Sequence, residues 1–361
     1  MTSLRPVRLL TALAFAIGVA ACGDSNGPDT PFDAAGTSAD LASVDAAFAS
    51  PAFLSFSAIS ADIDGTIAAS VVSLNAARRG MPEVARQNAL RFATMLPGAT
   101  AGAASGLSLS SSIPPAVAGK TFIWDEALDQ YVVSSLTGAP ANGVRFVLYA
   151  VNPVTGRPVE PLLGLGHADV IDQSGGSTRA ARVIVVSEGV TYVDYGISGS
   201  GSASGGTVTV DGFVTDGTVR ANFNLENELQ LTNSGITASL DYDLDVPARD
   251  IEIDFLVDVE GFETGGSVDL DLTMNGPNGT LRVSGTANDG GGTFEVRANG
   301  STFATITIAA DATEPAITGA GGEPLTQAEV EALTDVFGMY GDAFEVFGEL
   351  MDPVDALING E

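Results

Sequence analysis

Three consecutive runs between residues 236 and 274 constrain this chain more tightly than any other part of it. In the first, Ile236, Ala238, Leu240, Tyr242, Leu244 and Val246 alternate with Thr237, Ser239, Asp241, Asp243 and Asp245. After Pro247-Ala248-Arg249-Asp250, which reads as a turn, Ile251, Ile253, Phe255, Val257 and Val259 alternate with Glu252, Asp254, Leu256 and Asp258. Val268, Leu270, Leu272 and Met274 then alternate with Asp269, Asp271 and Thr273. Side chains on a strand point to opposite faces with period two, so each run has one apolar and one acidic face. Such a pattern belongs to an antiparallel sheet covered on one side and wet on the other.

The same reading extends from residue 120 to 311. Strands are expected at 120–125, 130–135, 143–151, 164–171, 180–187, 190–198, 207–215 and 218–226, then at 236–246, 250–260, 267–275, 280–287, 293–298 and 302–309. Asp216-Gly217, Asn275-Gly276-Pro277, Asn288-Asp289-Gly290 and Asn299-Gly300 supply turns between them, which favours a meander of hairpins. No strict internal repeat argues for a solenoid or propeller. Residues 199–206, all Gly, Ser or Ala, read as a hairpin loop; a phosphate loop would need a following helix and a nearby lysine.

Helical patterns flank the strands. Residues 38–96 form the first helical segment, with Leu41, Val44 and Phe48 as a short stripe and Phe56, Ile59, Ile63, Ile67, Val71 and Leu74 as a longer one. Residues 97–119, rich in Ala, Gly, Ser and Pro, form a linker or loop. At 325–351 the spacing predicts a C-terminal helix opened by a Thr326/Glu329 capping box. Its stripe runs through Val330, Leu333, Phe337, Tyr340, Phe344, Phe347 and Met351. A stripe this aromatic needs a partner and a one-sided sheet needs a cover. The expected fold is therefore α+β: a large curved antiparallel meander, as a half-barrel or a two-sheet sandwich, packed on one face by N- and C-terminal helices.

Composition narrows the function. With 45 Asp and Glu against 15 Lys and Arg, the chain repels nucleic acid and anionic head groups, so no nucleic-acid partner is expected. The single Cys, Cys22, excludes an internal disulfide, and His167 is the only histidine. At the N-terminus, Arg5 and Arg8 precede a short apolar core at 9–19, which ends in Val19-Ala20-Ala21-Cys22. Small residues before a cysteine at this position resemble the lipobox of bacterial lipoproteins. That resemblance covers residues 1–22 and implies a signal peptide at 1–21, lipid on Cys22 and a flexible tether over 22–37. It further implies a lipid-anchored place in the bacterial cell envelope. Gly23 stands where an inner-membrane retention signal carries Asp, which points to the outer membrane.

Candidate chemistry is sparse. Asp241, Asp243, Asp245 and Asp254 share a face on which like charges meet, and Ca²⁺, an oxygen-seeking ion, is the cofactor such a face could recruit; the alternative is a solvated face. His167 lacks a recognisable nucleophile and orienting carboxylate in the sequence, and the Gly-x-Ser-x-Gly spacing at Gly23 to Gly27 falls in the Pro-, Gly- and Asp-rich tether, without the strand-to-helix setting of a nucleophile elbow. Lys120 near Ser110 to Ser112, and the pair Glu226 and Glu228, carry no further catalytic signature. Six Tyr and one Trp are too few for the aromatic girdles of a membrane barrel. The expectation is a non-enzymatic envelope protein with a structural or interaction role, whose partners are the membrane, through Cys22, and other envelope proteins. The alternative is a carrier for a hydrophobic small molecule, lined by Phe337, Phe344, Phe347, Leu240 and Phe255. At the level of fold, such a carrier is similar to the half-barrel carriers of lipids and lipoproteins in bacterial envelopes.

Overall fold

The computed structural model describes residues 32–59, 113–336 and four later positions, 350, 351, 354 and 357. Within 113–336 it leaves out 153–154, 177, 203–204, 233–234, 261–265, 289 and 310–314. Two short helices open the described chain. Helix α1 (Ala34–Phe48) is capped by Asp33, whose carboxylate accepts from the Gly36 amide at 2.9 Å. Helix α2 (Pro51–Ala58) has Ser50 as its cap, accepting from the Phe53 amide at 3.1 Å, and proline in its first turn, where a missing N–H costs nothing.

The strands follow in chain order. They are β1 (Lys120–Asp125), β2 (Gln130–Val133), β3 (Gly143–Tyr149), β4 (Gly164–Asp172) and β5 (Arg179–Ser187). Next come β6 (Val190–Ser202), β7 (Gly205–Thr215), β8 (Arg220–Thr232), β9 (Gly235–Val246) and β10 (Ile251–Glu260). The last five are β11 (Ser267–Gly276), β12 (Gly279–Asn288), β13 (Gly291–Ala298), β14 (Ser301–Ala309) and β15 (Ala316–Gly319). All 15 form one sheet, ordered β15 to β3 in unbroken sequence and then β1 and β2. Hairpins therefore build it almost entirely, as the turn signals require. Asn299 and Gly300, both at positive φ, make the tight turn between β13 and β14. The single open, curved sheet replaces the two-sheet sandwich that the sequence also allowed.

Register sets the faces. Tyr242 lies opposite Phe255, which lies opposite Leu272, while Asp243 faces Asp254 on the other side. Leu240, Tyr242, Leu244, Phe255, Leu270 and Leu272 are all buried, and the alternate residues reach water. The inward side joins α1, α2 and the C-terminal segment in one hydrophobic core. Phe56 of α2 meets the Tyr195 ring edge-on, with centroids 6.3 Å apart. Opposite Tyr195 on β7 is Gly212, and a Cβ there would come within 2.5 Å of Tyr195 backbone. The Tyr195 hydroxyl, fully buried, donates to the Leu350 carbonyl. Helix α3 (327–336) begins with the expected reciprocal box: the Thr326 amide donates to Glu329 at 2.7 Å, and the Glu329 amide to the Thr326 hydroxyl at 3.3 Å. Leu333, Val336, Leu350, Met351, Val354 and Leu357 are buried in the core.

Four features differ from the sequence expectation. The β1–β2 hairpin is laid so that β3 pairs parallel to β1, with Phe122 opposite Phe146, because the segment after β2 crosses to the far side of β1. The Gly/Ser stretch is mostly strand: β6 runs through Ser202 and β7 starts at Gly205, so the hairpin is tighter than a 199–206 loop. Helix α1 starts at Ala34, inside the stretch read as tether. Strand β15 is only four residues long and carries no alternation from which to read it. The signal segment, the helical stretch beyond residue 59 and most of the 97–119 linker lie outside the described residues, as do Phe337, Phe344 and Phe347.

The face assignment is tested by paired substitutions. Phe255→Ala removes a buried ring from the middle of the core and is expected to cost roughly 3–5 kcal/mol. Asp243→Asn, on the wet face, is expected to be neutral or stabilising. Equal losses for the two in denaturant titration contradict the assignment.

Candidate functional site

The outward face of β8–β11 is where the sequence places its unusual chemistry. Opposed acidic pairs do occur: Glu226 faces Asp241, Asp243 faces Asp254, Asp245 faces Glu252 and Asp258 faces Asp269. Asp241, Asp243, Asp245 and Asp254 are thus brought onto one surface, as expected. Among the described residues no group of three or more His, Cys, Asp or Glu is gathered so as to hold a metal. Carboxylates on a pleated surface project side by side from neighbouring positions, whereas Ca²⁺ needs six to eight oxygens converging on one point.

Hydrogen-bond donors on both flanks relieve the repulsion. Asn222 donates its side-chain amide to Asp245 at 3.3 Å, and Asn224 donates to Asp243 at 3.4 Å, each from the directly opposed position on β8. On the other flank, Arg282 binds Asp271 with two guanidinium nitrogens, and the Thr286 hydroxyl donates to Asp269. The alternation Asn222, Asn224, Glu226 and Glu228 is visible in the sequence. Its meaning depends on the β8–β9 register, which the sequence alone leaves open.

Two carboxylates stay in conflict. Burial pushes the Asp254 carboxyl above the ordinary range, helped by Asp243, Glu252 and Asp241. Burial likewise raises Asp241, followed by the charges of Asp243 and Asp258. Leu256, exposed between Asp241 and Asp271, is the one large exposed apolar side chain in this field among the described residues.

His167 lies on the same outward side of β4, between Val147 of β3 and Val186 of β5. Its Nε2 is 3.9 Å from Asp169. Asp169 is already gripped by Arg145, through Nε at 2.6 Å and Nη2 at 2.7 Å. Burial, and then the Arg145 charge, lower the His167 pKa against the pull of Asp169, which favours the neutral imidazole. With aliphatic side chains directly opposite on both strands, the arrangement is that of a packed ion pair with a histidine beside it. Of the ligand-lining residues named from the sequence, Leu240 and Phe255 are inward and buried by protein.

The raised carboxylates make a pH prediction. Asp241 and Asp254 take up protons in the folded chain at higher pH than in the unfolded one. Their contribution is therefore complete below the unfolded carboxylate range, about pH 4, and is lost as pH rises through the folded values. His167, with its lowered pKa, acts in the opposite sense. The melting temperature of Asp254→Asn should exceed that of the wild type near pH 7.5, and the gap should narrow as pH falls toward about pH 4. A gap that stays constant with pH places the strain elsewhere.

Compared with protein-family models, curated proteins and solved structures, the chain finds no match.

Proposed function

We propose that this chain is a lipid-anchored protein of the bacterial envelope, held at the outer membrane through Cys22, whose folded domain has a structural or interaction role without a catalytic step. The observation that carries the reading is the position of the only cysteine, directly after Val19-Ala20-Ala21 and at the end of a short apolar segment preceded by Arg5 and Arg8. A diacylated or triacylated amino terminus gives stable anchoring, where one acyl chain is marginal. The interaction role draws support from exposed apolar side chains near the hairpin ends beside β1–β6, among them Leu128, Leu163 and Val190. Other envelope proteins are the corresponding partners.

A second reading, a carrier for a hydrophobic ligand held against the inward face, draws support from the open curved sheet with helices on its apolar side.

Metabolic labelling with an alkyne fatty acid tests the anchor. The wild type is expected to incorporate label and to enter the detergent phase, and Cys22→Ala to do neither. Absence of label on the wild type refutes the anchor, whatever the domain binds.

A further inference from the structure

The strand directions gather the connections of the sheet onto two opposite rims. Neighbours are antiparallel except β1 and β3, so the connections at 126–129, 150–163, 188–189, 216–219, 247–250, 277–278 and 299–300 share one rim. Four of the seven large apolar side chains exposed among the described residues belong to it. Leu128 is 59% exposed in the β1–β2 turn, Val159 and Leu163 are 46% and 63% exposed in the β3–β4 connection, and Val190, 46% exposed, opens β6. An ion pair of Arg157 with Asp129 ties the first two connections together. The Ala150 amide donates to the Leu163 carbonyl at 3.0 Å, which holds Leu163 at the foot of β3 and β4. Single exposed leucines are ordinary, but a row of apolar side chains along adjacent connections marks a contact surface.

The same rim receives the chain from Cys22. Phe32 packs its ring on Phe303 near the start of β14, with centroids 4.7 Å apart, and Asp40 of α1 accepts from Asn278 in the β11–β12 turn. From there α1 and α2 lead to the foot of β3, where the Ser55 hydroxyl accepts from the Tyr149 amide at 3.1 Å. Ten residue steps separate Cys22 from Phe32, and in any conformation they span at most about 36 Å. Strands β6 and β8, of 13 residues each, are longer than that, at about 43 Å. A lipid on Cys22 therefore favours the pose in which this rim, and not the opposite one, meets the bilayer.

Charge narrows the kind of surface. Glu126, Glu160 and Glu188 stand exposed beside the apolar side chains, and Arg157 is already paired with Asp129. Anionic head groups repel such a rim. Zwitterionic head groups admit it, because their ammonium groups can meet the carboxylates while the leucine and valine side chains enter the interface.

We infer that the rim of Leu128, Val159, Leu163 and Val190 is a membrane-docking surface, set into the head-group region of a zwitterionic lipid layer. The inference rests on the anchored reading and deepens it. The lipid on Cys22 brings the domain to the bilayer, and the rim fixes which end faces it. The opposite rim, with the β2–β3 and β12–β13 connections, points away from the lipid.

Spin labelling of the full chain tests it. In the anchored reading the Cys22 sulfur carries lipid, so Leu163→Cys, or Leu136→Cys on the opposite rim, supplies the one thiol to label. Leu136 is 56% exposed and equally apolar, so the pair separates membrane depth from mere exposure. In protein-free vesicles of phosphatidylethanolamine and phosphatidylcholine, the nitroxide at 163 is expected to be roughly fivefold less accessible to a water-soluble nickel quencher than that at 136. Added phosphatidylglycerol should narrow the difference, and Leu128→Asp should remove most of it. Equal accessibility at 163 and 136 on vesicle-bound chain overturns the docking rim and leaves the anchor standing. A chain that does not float with the vesicles overturns the anchor and the inference with it. Protection of 163 in native envelope membranes but not in protein-free vesicles assigns the rim to another envelope protein, which also overturns the inference.

Discussion

The sheet is apolar on one side only, and every other feature of the molecule answers to that asymmetry. Fifteen strands joined mostly by hairpins can find their neighbours locally, but their common apolar face cannot remain in water. The cover comes from both ends of the described chain. Asn278, at the turn between β11 and β12, donates to Asp40 of α1 at 2.9 Å, and Ser38 of α1 donates to Asp335 of α3 at 3.0 Å across 297 residues. Tyr195 ties the middle of β6 to Leu350. The hairpins are thus the local part of the fold, and the cover is the long-range part on which their stability depends.

What the sequence disclosed follows the same division. Period-two alternation is a local signal, and it located every strand except β15, whose Ala-Ile-Thr-Gly has too little pattern to read. The capping box at Thr326 and the Asn299-Gly300 turn were equally legible, because each is completed within a few residues. Pairings that depend on distant segments were not legible. Nothing local says that β3 will lie parallel to β1, or that Gly212 clears a place for Tyr195. The acidic face was visible but its resolution was not. Asn222 and Asn224 hydrogen-bond its carboxylates only because the β8–β9 register sets them opposite Asp245 and Asp243.

The two faces also divide the electrostatics. Carboxylates crowd the outward side of β8–β11, and a net charge of −30 opposes the approach of any anion from a distance. That opposition is short-ranged at physiological ionic strength, where fields fade over about 8 Å. The inward face meets α1, α2 and the C-terminal segment through apolar side chains, so one sheet keeps its crowded carboxylates and its core on opposite sides.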